Sequence, residues 1–493
     1  MIITRFIKKD ELISSKIISE FQKIISVGHK IIENDIKTVT DVIRNDVVCF
    51  VEYPYVERIY RDSYYSFFSK KHKHCYRDSI RISFFLNSLT EEEFYSYSDE
   101  ELNDKFLGYI SLRPTTFRVI GNSFLSPKAM ANHDDFVCCL CKKVILVNGR
   151  IVTVTGFPYC GQDSESITCA EVSILNIMSY FSHKYPEYST ILPSQIAKIL
   201  SKQVPERQLP SHGLRYLEIA FVLKKLGFGT RIYSAEGKDL FDKGEFKELL
   251  FIYIESGLPI ILMSENHAVL AIGRKNMSKV SLTNGNCLNM LTKKHHSFTD
   301  FFDQLLIMDD NKSPYKMVDY NNLFGKKGSF MYFIVPFYPK IHLEAHQIKS
   351  LFWQIQEALR EKENILFVKP NEDYIFKYFF TSSKSYKNYI AKSVGLSVEF
   401  KKIISRKSMP KFIWIGEIIR DKNLKNDPIV EGIIALDATE SGLHGNLLFA
   451  KNFEYLIIKP SQSGKYVRIP FDNENLKTYK NNLKGTHTQW QTA

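Results

Sequence analysis

The sequence predicts an α+β protein of three segments, with a segment of helices followed by an antiparallel sheet lying between two mixed segments. Three observations predict this. The chain has 493 residues, too many for one ordinary hydrophobic core. Apolar residues recur with helical period in some stretches and run continuously or alternately, as in strands, in others. The two kinds of stretch do not alternate regularly, which argues against a parallel βαβ sheet. The pattern changes at Pro158 and again near Lys340, dividing the chain into residues 1–155, 156–339 and 340–493.

In the first segment, residues 12–43 read as one helix, with Ile17, Phe21, Ile24, Ile25, Ile31 and Ile32 on an apolar face. Strand-like runs follow at 46–53, 79–86, 106–114, 135–147 and 150–157. In the second, Ala170, Ile174, Ile177, Met178 and Phe181 fall at helical spacing over 169–182. Residues 191–200 and 211–228 read as two more helices, with Gly227 suited to a C-terminal cap. "GTRIYS" turns to strand, "FKELLFIYIESGLPIILMS" reads as helix, turn and buried strand, and "HAVLAIGR" and "QLLIMDD" are strands. In the third, Ile348, Leu351, Phe352, Ile355 and Leu359 mark an amphipathic helix. "NILFVKP", "YIFKYFF", "KFIWIGEII", "PIVEGIIALD" and "EYLIIKP" read as strands, and the polar tail from Ser461 reads as loosely held apart from "YVRIPF".

Composition narrows the function. Sixty-six basic against 54 acidic residues give a net charge of +12, which favours acidic surfaces. The basic residues are spread along the chain, without a long block or an arginine-rich aromatic groove, so nucleic acid is not expected as the main partner. The start, "MIITRFIKKDELISSK", does not read as a signal peptide. The most apolar window is interrupted by Glu255, Gly257, Pro259, Glu265 and His267, so no membrane span is expected and a cytoplasmic location is. Eight cysteines in this length do not make a disulfide framework.

The stretch "GQDSESITCAEVSILNIMSYF" carries the chemistry. A cysteine nucleophile reacts as the thiolate, and a helix N-terminus favours that charge. Cys169 stands where the predicted helix begins. Such a nucleophile needs a base, and His267 opens the apolar run "HAVLAIG". The imidazole needs an orienting partner, for which Asp309 at the end of "LLIMDD" is the first candidate, Asp310 the second, and Asn284 and Asn286 are competitors. The tetrahedral intermediate needs oxyanion donors, and the backbone N–H of Cys169 and the side chain of Gln162, seven residues upstream, are candidates.

This order of glutamine, cysteine at a helix start, histidine opening an apolar strand and acid ending a later strand resembles the papain-like cysteine peptidases. The closest likeness is to their compact branch, typified by bacteriocin-leader-processing peptidases, and covers residues 156–320. "FLGYISLRP", "GLRYLEIAFVLKKLGF", "SGLPIILMSENHAVLAIG" and "MDDNKSPY" are also similar to stretches of bacterial proteins with such a core between two extra domains. The resemblance implies Cys169 as nucleophile, His267 as base and then acid, Gln162 as oxyanion donor, and Asp309 or Asp310 as orienting group, with no cofactor or metal. The chain departs from the family in having six residues between Gln162 and Cys169, where five is usual, and Cys-Ala where Cys-Gly or Cys-Trp is usual. The longer interval from His267 to Asp309 implies an insertion over 274–303.

The expected function is therefore cleavage of a peptide or isopeptide bond in a protein or peptide substrate, with a regulatory protein as a further partner. The same residues serve transglutaminase-like or acetyltransferase-like acyl transfer, and a binding module without activity is the third reading. Cys138, Cys139 and Cys141 in "CCLC" read as buried thiols, because a structural zinc site needs four ligands and no second pair stands at suitable spacing. "KKHKHC" at 70–75 reads as a solvated basic loop, and "KKHH" at 293–296 falls in the implied insertion.

Overall fold

Long apolar strand runs pair antiparallel wherever short connections let them, and in this computed structural model they assemble three sheets. The structure describes all residues except 1, 87–88, 204–207, 236–242, 278–294, 325–328, 370–373, 421–427, 442–445, 459–465, 471–475 and 486–493. Among the described residues there are 13 α-helices, and the architecture is mixed α+β. None of those helices is long and apolar enough to cross a membrane.

The first sheet runs in the order Ile3–Lys8, Val47–Tyr55, Ser79–Leu86, Phe106–Leu112, Ser123–Leu125, Arg150–Tyr159 and Cys141–Val147, with antiparallel neighbours throughout. The helix expected over 12–43 is two helices, Ser15–Ile25 and His29–Thr40. Ser26, in the left-handed region at φ 54°, caps the first, and Gly28 opens the second. Ile17, Phe21, Ile24, Ile25 and Ile32 are all buried, so the apolar face was read correctly across a break that hydropathy does not mark.

The second sheet runs Lys316–Asp319, Gln304–Met308, Ala268–Lys275, Ile260–Met263, Tyr332–Val335 and Arg231–Ser234, again antiparallel. The run expected as one strand over 135–147 divides between sheets. Phe136–Cys138 joins the second sheet beside Ala268–Lys275, and Cys141–Val147 stays in the first. Cys139 is the crossing point, where its N–H donates to Ile272 O at 2.7 Å. Gly273 is required there, because a Cβ would stand 2.2 Å from Val137 O.

The helix Cys169–Lys184 lies between these two sheets, touching Ala268–Lys275 on one side and Cys141–Val147 and Arg150–Tyr159 on the other. This explains its composition. A helix covered on both sides is apolar nearly all round, and Val172, Ile174, Leu175, Ile177, Met178, Tyr180 and Phe181 are all buried.

The third sheet runs His295–Ser297, Tyr374–Ser382, Phe412–Arg420, Ile429–Asp437, Leu447–Lys451, Tyr455–Ile458 and Val467–Pro470. Its first pair is parallel, and His295–Ser297 comes from the middle segment of the chain. Of "NILFVKP", the described residues 364–369 are not a strand. Asn364 caps the Ala345–Glu363 helix at φ 52°, and Leu366 O accepts from the Asn452 side chain, so this backbone is engaged outside a ladder. The tail is also held more firmly than its polarity predicts. Leu476–Lys477 pairs with Ile429–Asp437, and Thr478 and Tyr479 are buried. Lys377, itself buried, draws the tail in by donating to Thr478 Oγ1 at 3.1 Å and Tyr479 O at 2.7 Å.

Candidate functional site

The chain before Cys169 is a tightly bonded turn. Buried Asp163 accepts through Oδ1 from the N–H groups of Glu165, Ser166 and Ile167 at 2.9, 2.6 and 2.9 Å, and through Oδ2 from the Ser166 hydroxyl. One carboxylate thereby neutralises three backbone donors and folds residues 164–167 into a tip. Glu171 then bonds back to the N–H of Thr168 at 3.1 Å and to its hydroxyl, closing the helix start. Cys169 is the first helical residue and is half-buried, which sets it in the first turn, whose N–H groups have no partner within the helix.

His267 lies just before the Ala268–Lys275 strand. Its backbone is pinned in a turn, with its N–H donating to Ser264 Oγ at 3.0 Å and its carbonyl accepting from Ser264 N–H at 2.9 Å. His267 Nε2 stands 3.0 Å from Asp309 Oδ1 and 3.9 Å from Asp310 Oδ1. Asp309 thus takes the hydrogen bond, and the Cys169 side chain stands near enough to act on the same ring. Strand pairing explains the meeting. Gln304–Met308 lies beside Ala268–Lys275 in antiparallel register, so the end of one strand meets the beginning of the other.

The charges are strongly coupled. Burial disfavours the imidazolium, but the hydrogen bonds to Asp309 and Cys169 and the charges of both aspartates outweigh it and push the His267 pKa up to about 10. Burial likewise opposes ionisation of Asp309, yet the bonds from His267 and from Asn311 N–H hold its carboxyl below the usual range. Asp310 differs. Burial dominates and pushes its carboxyl up to about 7 against the charges of His267 and Arg118. Among the described residues, no group hydrogen-bonds either of its side-chain oxygens.

Gln162 is brought to the same place. Its Nε2 donates to Asn311 Oδ1 at 3.0 Å, so one amide N–H is committed to the turn that follows the two aspartates. Asn284 and Asn286, the competing orienting groups, lie outside the described residues. His267 Nε2 and one oxygen each of Asp309 and Asp310 lie within 4.8 Å of one another, a donor set of the kind a divalent cation takes. Among the described residues it is the one such cluster, and it is the His267–Asp309 pair with Asp310 added.

Sequence reasoning missed the groups that hold these segments. Arg113, fully buried, donates through Nη2 to Gly161 O at 2.5 Å, next to Gln162. Arg118 donates to Asn311 O at 2.7 Å and faces Asp35 Oδ1 at 3.5 Å, and Asp35 also accepts Val119 N–H at 2.7 Å. The first segment of the chain therefore buttresses both the glutamine side and the aspartate side of the site. Asp163 left a signal, since an aspartate before small polar residues is a turn pattern, but the two arginines left none.

The cysteines of "CCLC" are buried, as expected of core thiols, and burial pushes Cys139 and Cys141 up to about 12. His72, Lys73 and His74 of the basic loop are exposed. Comparison with known protein families and with curated proteins finds no match for this chain.

Proposed function

We propose that the protein is a cysteine hydrolase with a papain-like core, cleaving a peptide or isopeptide bond. The observation that carries this is the hydrogen bond of His267 to Asp309 at 3.0 Å, with the Cys169 side chain near enough to act on the same imidazole. In this reading Cys169 attacks the carbonyl carbon as a thiolate, forming the sulfur–carbon bond. The tetrahedral intermediate collapses as His267 gives its proton to the leaving nitrogen. Water, deprotonated by His267, then releases the thioester. The raised pKa of His267 supports an imidazolium beside Cys169. The Cys-bearing helix packed against an antiparallel sheet that carries His267 and Asp309 supports the papain-like core.

The test is alkylation of Cys169 by a neutral thiol-selective electrophile across pH, in wild type and in Cys169→Ala and His267→Ala. The expected result is rapid labelling at Cys169 that persists well below the ordinary thiol range of about 8.5 and is lost in His267→Ala. Labelling at the rate of an ordinary thiol, or unchanged in His267→Ala, overturns the reading.

A further inference from the structure

The loop that follows Phe68–Lys70 runs against the turn that precedes the nucleophile. Lys71 Nζ bonds Glu165 Oε1 at 2.5 Å, and Glu165 sits at the tip that Asp163 folds. Ser211 N–H donates to Glu165 O at 2.7 Å, and the Ser211 hydroxyl bonds Glu171 on the first turn of the Cys169 helix, so the tip stays close to that helix. Only three residues separate Glu165 from Cys169, four steps of chain that span at most about 14 Å when fully extended. The Lys71 ammonium is thus within roughly 20 Å of Cys169 at the longest reach.

From Lys70 to Arg77 the loop carries Lys70, Lys71, Lys73 and Arg77 with His72 and His74, and no acidic residue. Lys71 is taken by Glu165, and Arg77 leans on Asp78 at 3.7 Å. Lys70 and Lys73 are exposed and have no acidic partner among the described residues. The other lip differs. Glu265 is exposed two residues before His267. The 70–77 loop is therefore a cationic surface fastened beside the Cys169 turn, while Glu265 stands beside His267. A solvated lysine run far from any site would carry nothing. This one is fastened by an ion pair to the turn that positions the nucleophile.

We propose that the 70–77 loop is a substrate-recognition element, and that the substrate is a peptide with acidic residues lying on the Cys169 side of the scissile bond. This rests on Cys169 as nucleophile. Fixed cations at a cleft mouth raise the local concentration of anions and lose that effect as salt screens them.

The full-length protein would be alkylated with iodoacetate and, separately, with uncharged iodoacetamide, at low and at physiological salt. In both reactions the sulfur displaces iodide, which leaves with its electron pair, so only the charge of the reagent differs. The reading is the ratio of the two rates at Cys169. The expected ratio is highest at low salt and falls severalfold at physiological salt. In Lys70→Glu/Lys73→Glu the low-salt ratio drops roughly threefold or more, whereas Lys142→Glu, on the edge strand of the first sheet, keeps it. A short Glu-rich peptide protects Cys169 from iodoacetamide more than a Lys-rich one does. If Cys169 reacts quickly with iodoacetamide but the ratio is the same in the double variant, the acidic-substrate assignment is overturned alone. If Cys169 reacts with iodoacetamide no faster than an ordinary thiol, the nucleophile is overturned and the proposal with it.

Discussion

His267 Nε2 faces two neighbouring carboxylates, and the difference between 3.0 and 3.9 Å gives them different work. Asp309 holds the ring. Asp310 is a buried carboxyl 3.9 Å from that ring, with no hydrogen bond to its side chain among the described residues. Its carboxyl, raised from 3.8 to about 7, ionises earlier in the unfolded chain than in the folded one. Between these two values the folded state holds more protons, so this group's contribution to stability declines as pH rises from about 4 to about 7. Asp310→Asn removes that decline. Its melting temperature relative to wild type is expected to improve from pH 4.5 to pH 7.5, and thermal unfolding at several pH values checks it. An unchanged difference would mean that Asp310 is already ionised throughout this range. His267 has the opposite sign. Its folded pKa lies above the ordinary 6.5, so its contribution is full below that value and fades as pH climbs through about 10. Cys169, His267 and Asp309 were legible in the sequence because each stands at the start or end of an apolar run, where pattern alone places a side chain at an element's edge. The preference for Asp309 over Asp310 was not settled by pattern, because neighbouring residues share one strand end and only the packing separates them.

Between elements, the strongest prediction concerns Arg118. It reaches a carbonyl 193 residues away, and through Asn311 it supports both Asp309 and Gln162. Arg118→Ala is expected to slow Cys169 labelling roughly tenfold by loosening that turn, since small misplacements of reacting groups are costly. Arg118→Lys, which keeps the charge but not the forked donor, is expected to recover part of the rate. Equal rates in all three proteins would confine Arg118 to a structural role. Such a contact cannot be read from local pattern. The elements that were legible obey periodicity, as in Cys169–Lys184 or Ser79–Leu86. Those overlooked, including Arg58–Ser66, Ser383–Lys392 and Val398–Arg406, are short, polar helices that bury only two residues each. Two of them start at a serine whose side chain caps the helix, Ser382 and Ser397, and that capping signal was the one available.

At the scale of the whole molecule, the middle segment, the third sheet and the tail are tied together by buried polar groups. Glu255 pairs with Arg274 inside the middle segment and faces Lys377 of the third sheet at 3.9 Å, while Glu417 accepts from Thr478 and Tyr479 of the tail. Tyr479 stacks on Phe379 with ring centroids 4.9 Å apart, and its hydroxyl meets Thr381 and Ser385 at 2.8 and 2.7 Å. Tyr479→Ala is expected to cost about 3–5 kcal/mol, and Tyr479→Phe about 1 kcal/mol, both measurable by denaturant unfolding. A negligible loss in the alanine variant would mean that the tail is an appendage. The polar composition of the tail concealed this role, because its anchor is a buried lysine on the Tyr374–Ser382 strand and not an apolar stripe of its own.

Cys138 and Lys484 exchange two backbone hydrogen bonds of 2.9 Å, and the short strand containing Cys138 borders the strand that leads away from His267. During synthesis on the ribosome, the chain through Asp310 emerges long before Lys484. For an interval on the order of tens of seconds, every residue of the Cys169 site is outside while the far side of the Phe136–Cys138 strand still lacks its neighbour. The timetable of translation, as well as the geometry of the finished fold, therefore decides when this part of the protein can become native.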